Sequence, residues 1–513
     1  MKRFILTIAI LFSFTNLVFS QTQTDSLVRF SDLRFHSDFE KRSFSDFVKL
    51  KKDTFQLLLA IDKDVTPEIA AKLRTTFNRT LDELNQKNIQ SKRIDKQIKF
   101  IYSDVHIRLL KKYSANEYFP TTIQSGIYNY VSASMLYAMV FAYYNIPYKV
   151  MASPSRAYLV ANPGKDSVVI ETMNPLFQKT TFTDDFKQRY VNNLRTSKLI
   201  SEADYKDKSV DEIFKEKFNE VKEADFFSLP GFQYYNKALT QLENNNIETA
   251  LSLAQKAYFL YPAPQVKTLL NISLLQQIES CNFDKVTDVD YLVQISRFEN
   301  TDKKAVVGKF INTIKHFLQD TDKESYCDSL YQRYSSEIAD HSLKEEICFS
   351  FNMLMSYHYQ NSDKIEKYVT QALSIKGNYQ NAQVLFKNYL NKKLYSISDP
   401  YALLDSIKRV EQQYQFPLIK PLVRDLKSMA YLKIANNCIE QKKPTDSENY
   451  LTKFEENCAL PVKDEAIELQ IANTYRSIAV YYFYKGYKTK AKNYVNRGLK
   501  YIPNNSFLKS AVY

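Results

Sequence analysis

Apolar residues recur three and four positions apart through FSDFVKLKKDTFQLLLAI, VTPEIAAKLRTTFNRTLDELNQK and QIKFIYSDVHIRLLKKY, with Lys, Arg, Asp and Glu between them. That spacing lays one apolar stripe along a helix, and it predicts amphipathic helices through residues 21–119. Thr66-Pro67-Glu68 spells a helix start, with Thr as cap and Pro in the first turn. The pattern then changes. NYVSASMLYAMVFAYY is apolar almost all round, which predicts a helix buried on every side and ended by Asn145-Ile146-Pro147. Three Val-, Ile- and Tyr-rich runs follow, YKVMAS, RAYLVA and SVVIETM, the last two joined by the turn sequence NPGKD. One buried helix feeding a short antiparallel sheet predicts an α+β core over residues 120–230. From Phe177 helical patterning returns and runs to Leu229-Pro230-Gly231.

Residues 231–513 read as paired helices. YYNKALTQLENNNIETALSLAQKAYFLYP carries Ala238, Ala250, Ala254 and Ala257 at close-packing positions, with Pro262 behind the second helix. YRSIAVYYFYKGYKTKAKNYVNRGLKYIP repeats the layout with Tyr475, Ile478, Ala479 and Tyr482, then Gly486 in the turn, then Ala491, Val495, Gly498 and Pro503. Tyr431, Ile434, Ala435, Ser447 and Leu451 form a weaker unit, HYQNSDKIEKYVTQALSIKGN another, and residues 270–345 fit poorly. The pattern resembles tetratricopeptide repeats, which implies an all-α solenoid whose units stack because none buries its own apolar face. Such a stack presents a concave surface for a peptide or protein partner.

Composition narrows the chemistry. The chain opens MKRFILTIAILFSFTNLVFSQ, a basic start, an apolar run and a small residue at Ser20, the form of a secretory signal peptide over residues 1–20. An exported protein, periplasmic, at the cell surface or secreted, is therefore expected, with no membrane span once the signal is cleaved. The formal charge is +13, but Lys and Arg alternate with Asp and Glu, and no dense basic run with interleaved aromatics stands out. The charge reads as solvated helix faces, so no nucleic acid is expected. The 7 glycines are scattered, which excludes a dinucleotide fingerprint or a Walker loop. The 5 cysteines all lie at or beyond Cys281, and the 5 histidines are His36, His106, His316, His341 and His358. Neither CxxC nor HExxH spacing occurs, so neither a metal nor another cofactor is expected.

The stretch GIYNYVSASMLYA…NIPYKVMASPSRAYLVA…ETMNP resembles the transglutaminase-like superfamily over residues 95–180. The resemblance implies a papain-like α+β core with a Cys at the start of the buried helix, a His on the following strands and an Asp just before a Pro. Carried over residue by residue, Tyr130 stands at the Cys position, Arg156 at the His and Asn174 at the Asp, while Gly126, Ser132, Ala133, Pro147, Tyr158, Glu171 and Pro175 keep the frame. Each replacement removes a needed property. A phenol titrates near 10 and is a poor acyl acceptor, a guanidinium has no lone pair to act as base, and Asn carries no charge. Catalytic residues are thus absent, and a pseudoenzyme is expected. Tyr130, Arg156, Tyr158, Glu171 and Asn174 remain as candidates for a binding cleft, in which Arg156 would hold a carboxylate or a peptide backbone. The plainer alternative pairs Arg156 with Glu171 across adjacent strands and has Tyr130 fill the vacated space. A hydrolase or acyltransferase with a relocated nucleophile, Ser132 or Ser134 with Lys149 as base, is the enzymatic alternative.

The whole reads as a signal peptide (1–20), a helical region packing on the core (21–119), a degenerate transglutaminase-like domain (120–230) and helical repeats (231–513). The expected protein is mostly α, non-catalytic, and binds a protein or peptide in the cell envelope.

Overall fold

The computed structural model describes residues 26–512 except 50–52, 154–155, 165–166, 171, 173–182, 197–198, 219 and 463. Arg156, Phe186, Asn193, Thr196, Phe227 and Thr321 are described by their backbone alone. The leader read in residues 1–20 lies outside the described residues. The chain is mostly helical with one small antiparallel sheet, and it divides into two compact units. The first takes the chain up to Val306 together with Ser336–Asp340, and the second takes Val307–Ser335 with His341–Tyr513. Among the described residues, no helix is long and apolar enough to cross a membrane.

In the first unit the apolar spacing is realised as drawn. Thr66 caps helix Pro67–Asn85 by accepting from the Ile69 amide. Its buried stripe of Ala70, Leu73, Phe77, Leu81 and Leu84 joins one core with Ile98, Ile101 and Val105 of helix Ile94–Leu109. Helix Tyr130–Tyr143 runs through that core with ten buried residues, so its lack of a polar face is the signature of its position. Gly126 precedes it at φ 78°, where a Cβ would meet Lys111 Cγ at 2.8 Å and the Leu109 carbonyl at 3.1 Å. Only glycine lets the chain turn there and still meet the Lys111 and Lys112 amides with its own carbonyl. Asn145 (φ 55°) ends the helix, as the Asn-Ile-Pro spelling implies.

The sheet consists of Val168–Ile170, Arg156–Ala161, Tyr148–Ser153 and Lys222–Ala224 in that spatial order, all antiparallel. Strand alternation gives it two unlike faces. Val150, Ala152, Ala157, Leu159, Ala161 and Ile170 are buried in the core that holds helices Tyr130–Tyr143 and Ile94–Leu109, whereas Lys149, Met151, Tyr158, Val160 and Val169 turn the other way and keep exposure. The fourth strand, Lys222-Glu223-Ala224, falls in a stretch read as helical. It has no β pattern of its own and is a strand because the fold lays it along Tyr148–Ser153. A parallel two-residue ladder, Lys112–Tyr113 with Ile127–Tyr128, was equally illegible.

Helix Leu229–Glu243 closes this core. Its Gln233 is buried and stitches three segments, accepting from the Phe119 amide at 2.8 Å and donating to the Leu58 carbonyl at 3.1 Å. It pairs with helix Ile247–Leu260 through a turn in which Asn245 is left-handed (φ 59°) and the Asn246 amide bonds the Gln241 carbonyl.

The second unit uses the same turn twice. Lys442 (φ 59°) joins Lys420–Glu440 to Pro444–Asn457, with the Lys443 amide on the Cys438 carbonyl. Gly486 (φ 84°) joins Glu465–Tyr484 to Lys488–Leu499, with the Tyr487 amide on the Tyr482 carbonyl. The helices share a core containing Leu432, Ala435, Phe454, Tyr475, Ile478, Ala491 and Val495. Carboxylates tie neighbouring helices together. Glu366 accepts from Tyr389 at 2.5 Å and Lys393 at 2.6 Å, Glu455 from Tyr475 at 2.7 Å and Arg497 at 2.8 Å, and Glu448 from Tyr482 at 2.9 Å and Lys490 at 2.6 Å, with Tyr494 closing on it as well. None of the five cysteines forms a disulfide, and Cys438 is buried as a small core residue.

Candidate functional site

The resemblance would seat a nucleophile at the start of helix Tyr130–Tyr143. Asn129 caps this helix by accepting from the Ser132 amide at 2.8 Å, and the Ser132 hydroxyl accepts from the Asn129 amide at 3.0 Å. This reciprocal box consumes the first orphan donors of the helix. Asn129 also donates Nδ2 to the Glu117 carbonyl at 2.5 Å and the Ala115 carbonyl at 3.3 Å, so the 114–118 loop is fastened across the helix end. Thr122 donates to Ser132 Oγ at 2.8 Å, and Thr172 donates to the Tyr130 carbonyl at 3.2 Å.

Tyr130 itself is packed on the core and partly buried. Its hydroxyl end lies near Tyr113, Tyr235 and Asn236, the last two on helix Leu229–Glu243. Burial pushes the phenol well above its ordinary value, Tyr113 adds to the rise, and the Asn236 side chain works against it. A phenol so placed stays protonated and neutral at physiological pH.

The serines are equally committed. Ser132 and Ser134 are fully buried. Ser132 Oγ donates to the Asn129 carbonyl at 3.2 Å, and Ser134 Oγ donates to the Ala157 carbonyl at 3.0 Å. Lys149 is on the opposite face of the sheet from them, where its amine holds Glu223 at 2.7 Å. The alternation that turns Val150 toward the helix turns Lys149 away, so the sheet stands between this amine and both hydroxyls.

Tyr158 is separated from Tyr130 for the same reason. Ala157 and Leu159 face the buried helix, so Tyr158 faces outward beside Met151, its register partner. The Arg156 backbone pairs with Ser153 at the start of its strand, and the Arg156 side chain, Glu171 and Asn174 lie outside the described residues. One residue that sequence reasoning set aside does approach. His106, exposed on helix Ile94–Leu109, stacks on Tyr102 at 6.1 Å and meets Tyr128 edge-on at 6.4 Å. Among the described residues it makes no hydrogen bond to Tyr130, Ser132 or Ser134. No group of three His, Cys, Asp or Glu is placed to hold a metal, again among the described residues.

A second constellation escaped the sequence altogether. Glu40 (0% exposed) and Lys256 (3% exposed), 216 positions apart, form an ion pair at 2.9 Å in the interior of the first unit. Glu40 also accepts from the Tyr234 hydroxyl at 2.9 Å and the His36 amide at 2.8 Å. Burial lowers the Lys256 amine, and Glu40 draws it back up. His36, whose imidazole is also lowered by burial, lines a surface cavity of about 700 Å³ with Phe30, Leu33, Phe35 and Lys41. Glu40 looked like an ordinary charge on an amphipathic helix, and Lys256 like a solvated one; no local signal distinguishes them from their neighbours.

The fold and site thus define a mostly helical protein in which a one-sided sheet backs a buried helix whose N-terminus is closed by its own caps. Compared with models of protein families, with curated proteins and with solved structures, the chain matches none of them.

Proposed function

We propose that this chain is a non-catalytic exported scaffold that binds a protein or peptide in the cell envelope. On this reading residues 120–230 are a transglutaminase-like domain that has lost its Cys-His-Asp triad to Tyr130, Arg156 and Asn174. The paired helices of residues 231–513 are tetratricopeptide-like repeats offering an interaction surface. One observation carries the reading: the residue that the resemblance puts at the nucleophile position is a tyrosine packed on the core beside helix Leu229–Glu243, its phenol raised by burial and therefore neutral. An acyl carbon has no thiolate to meet there, and the two nearby serine hydroxyls donate to backbone carbonyls.

The purified chain, offered a glutamine peptide with an amine acceptor, an ester, and a serine-directed covalent probe, is expected to turn over or bind none of them. Turnover or labelling that is lost in Ser132→Ala or Ser134→Ala would establish the hydrolase or acyltransferase alternative and overturn the proposal. Crosslinking in the native envelope supplies the positive arm, with a defined protein partner recovered less well by Arg156→Ala.

A further inference from the structure

The run YYFYKGYKTKAK, Tyr481 to Lys492, fits the repeat pattern, yet part of it is strongly exposed. It forms the tip of the last long helical hairpin. Tyr482 and Ala491 face the core, while Tyr484 is 84% exposed and Tyr487 is 62% exposed, one on each side of Gly486. Tyr484 meets Phe483 edge-on at 6.1 Å and Tyr487 meets Tyr482 edge-on at 6.2 Å, yet both stay mostly in solvent, and two such rings flanking a turn are knobs rather than the walls of a groove.

Lysines surround them. Lys485, Lys488 and Lys492 belong to the same tip and are exposed. Lys442 and Lys443 form the tip of the preceding hairpin, which lies alongside: Glu448, just past that tip, is held by Tyr482 and Lys490, which flank Gly486. Among the described residues none of these five lysines is ion-paired, and only Lys490 of the cluster is. Of the carboxylates at this edge, Glu448 is neutralised by Lys490, Glu440 accepts from Asn436, and Asp446 lies near the Cys438 thiol. Cations are in clear excess. Lys442 moreover occupies a left-handed turn position (φ 59°), a conformation that Asn or Gly adopts more easily.

We infer that this edge, the paired tips at Lys442–Lys443 and Tyr484–Lys492, is a docking surface for an anionic lipid bilayer, with Tyr484 and Tyr487 seated at headgroup depth and the lysines on the surface charge. Protruding knobs suit a flat surface, whereas a polymer chain is held by a groove. Tyrosine is the side chain whose ring and hydroxyl match the two sides of a membrane interface. Lysines near anionic lipid add attraction that salt screens.

The test is co-sedimentation of the full chain with vesicles of phosphatidylcholine containing phosphatidylglycerol and, separately, of phosphatidylcholine alone. Binding to the anionic vesicles is expected to exceed that to neutral ones. It should fall about fivefold for each of Lys485→Gln and Lys488→Gln, and about tenfold or more in Tyr484→Ser/Tyr487→Ser. All four positions are exposed, so the variants should unfold in urea like the parent chain, which checks that the fold is kept. Equal binding to both vesicle types, or anionic binding that these variants leave unchanged, overturns the inference. So does binding of a sulfated polysaccharide or single-stranded DNA through these residues with none to vesicles.

Discussion

Replacing Lys256 with Met removes the cation of the buried pair, which also lies 5.7 Å from the Phe35 ring and 5.8 Å from the Tyr234 ring, while keeping an apolar chain of similar length. Glu40, fully enclosed, would be left with the Tyr234 hydroxyl and the His36 amide as hydrogen-bond donors, and with the His36 imidazole at 3.4 Å as its nearest titratable neighbour. Breaking a buried pair from one side costs about 3–5 kcal/mol, because an uncompensated charge stays in the interior. The two surviving hydrogen bonds place this case near the lower end, at about 3 kcal/mol. The pair joins helix Asp38–Val48 to helix Ile247–Leu260, so the loss falls on the opening of those two elements. Hydrogen exchange followed by mass spectrometry on peptides covering them should lose about a hundredfold in protection. The double variant Glu40→Gln/Lys256→Met should regain at least about 1 kcal/mol over the sum of the single changes, since removing both charges removes the desolvation problem. Protection in Lys256→Met within about threefold of the parent chain would refute the reasoning, for then the pair contributes nothing beyond its packing.

Two further outcomes test the second unit. Hydrogen bonds to Glu324 from Tyr359, then from His358 and Lys364, hold its carboxyl at about 2, below its ordinary value of 4.5. A folded value below the unfolded one stabilises fully above about pH 4.5, and that contribution is lost as pH falls toward about 2. Urea unfolding of this unit should therefore weaken less steeply on acidification in Glu324→Gln than in the parent chain; identical acid slopes would remove Glu324 from the account. Gly498 lets two helices and the C-terminal turn meet, since a Cβ there would stand 2.7 Å from Leu508 Cδ2 and 2.9 Å from Tyr475 Cγ. Gly498→Ala should cost about 1–3 kcal/mol in the same unfolding measurement, and a neutral result would mean the contact relaxes freely.

Periodicity and capping spell local structure because both act within a few residues. Helix Pro67–Asn85 begins where Thr66-Pro67 says it must. Helix Tyr130–Tyr143 is buried on all sides as its composition requires, and the strands Tyr148–Ser153 and Arg156–Ala161 have the bounds their β-rich runs suggest. The small residues of the hairpins, Ala238, Ala479 and Gly498 among them, are buried where helices meet. The strand Lys222–Ala224 was illegible for the converse reason: its register partners are residues about seventy positions away.

The sequence by itself therefore determined the mostly helical class, the buried helix with its sheet, and the absence of thiol and imidazole along the stretch from Gly126 to Pro163. These follow from side-chain type and spacing alone. Tertiary structure decided which faces those side chains took. It turned Tyr158 and Lys149 away from Tyr130 and the serines, because a strand's alternation has meaning only once one face is buried. It set Tyr130 beside Asn236 of a helix about a hundred residues away, and it brought Glu40 into contact with Lys256. Burial, which sets whether a charge or a phenol is costly, reactive or inert, is a property of everything that packs around it, and no window of sequence contains that.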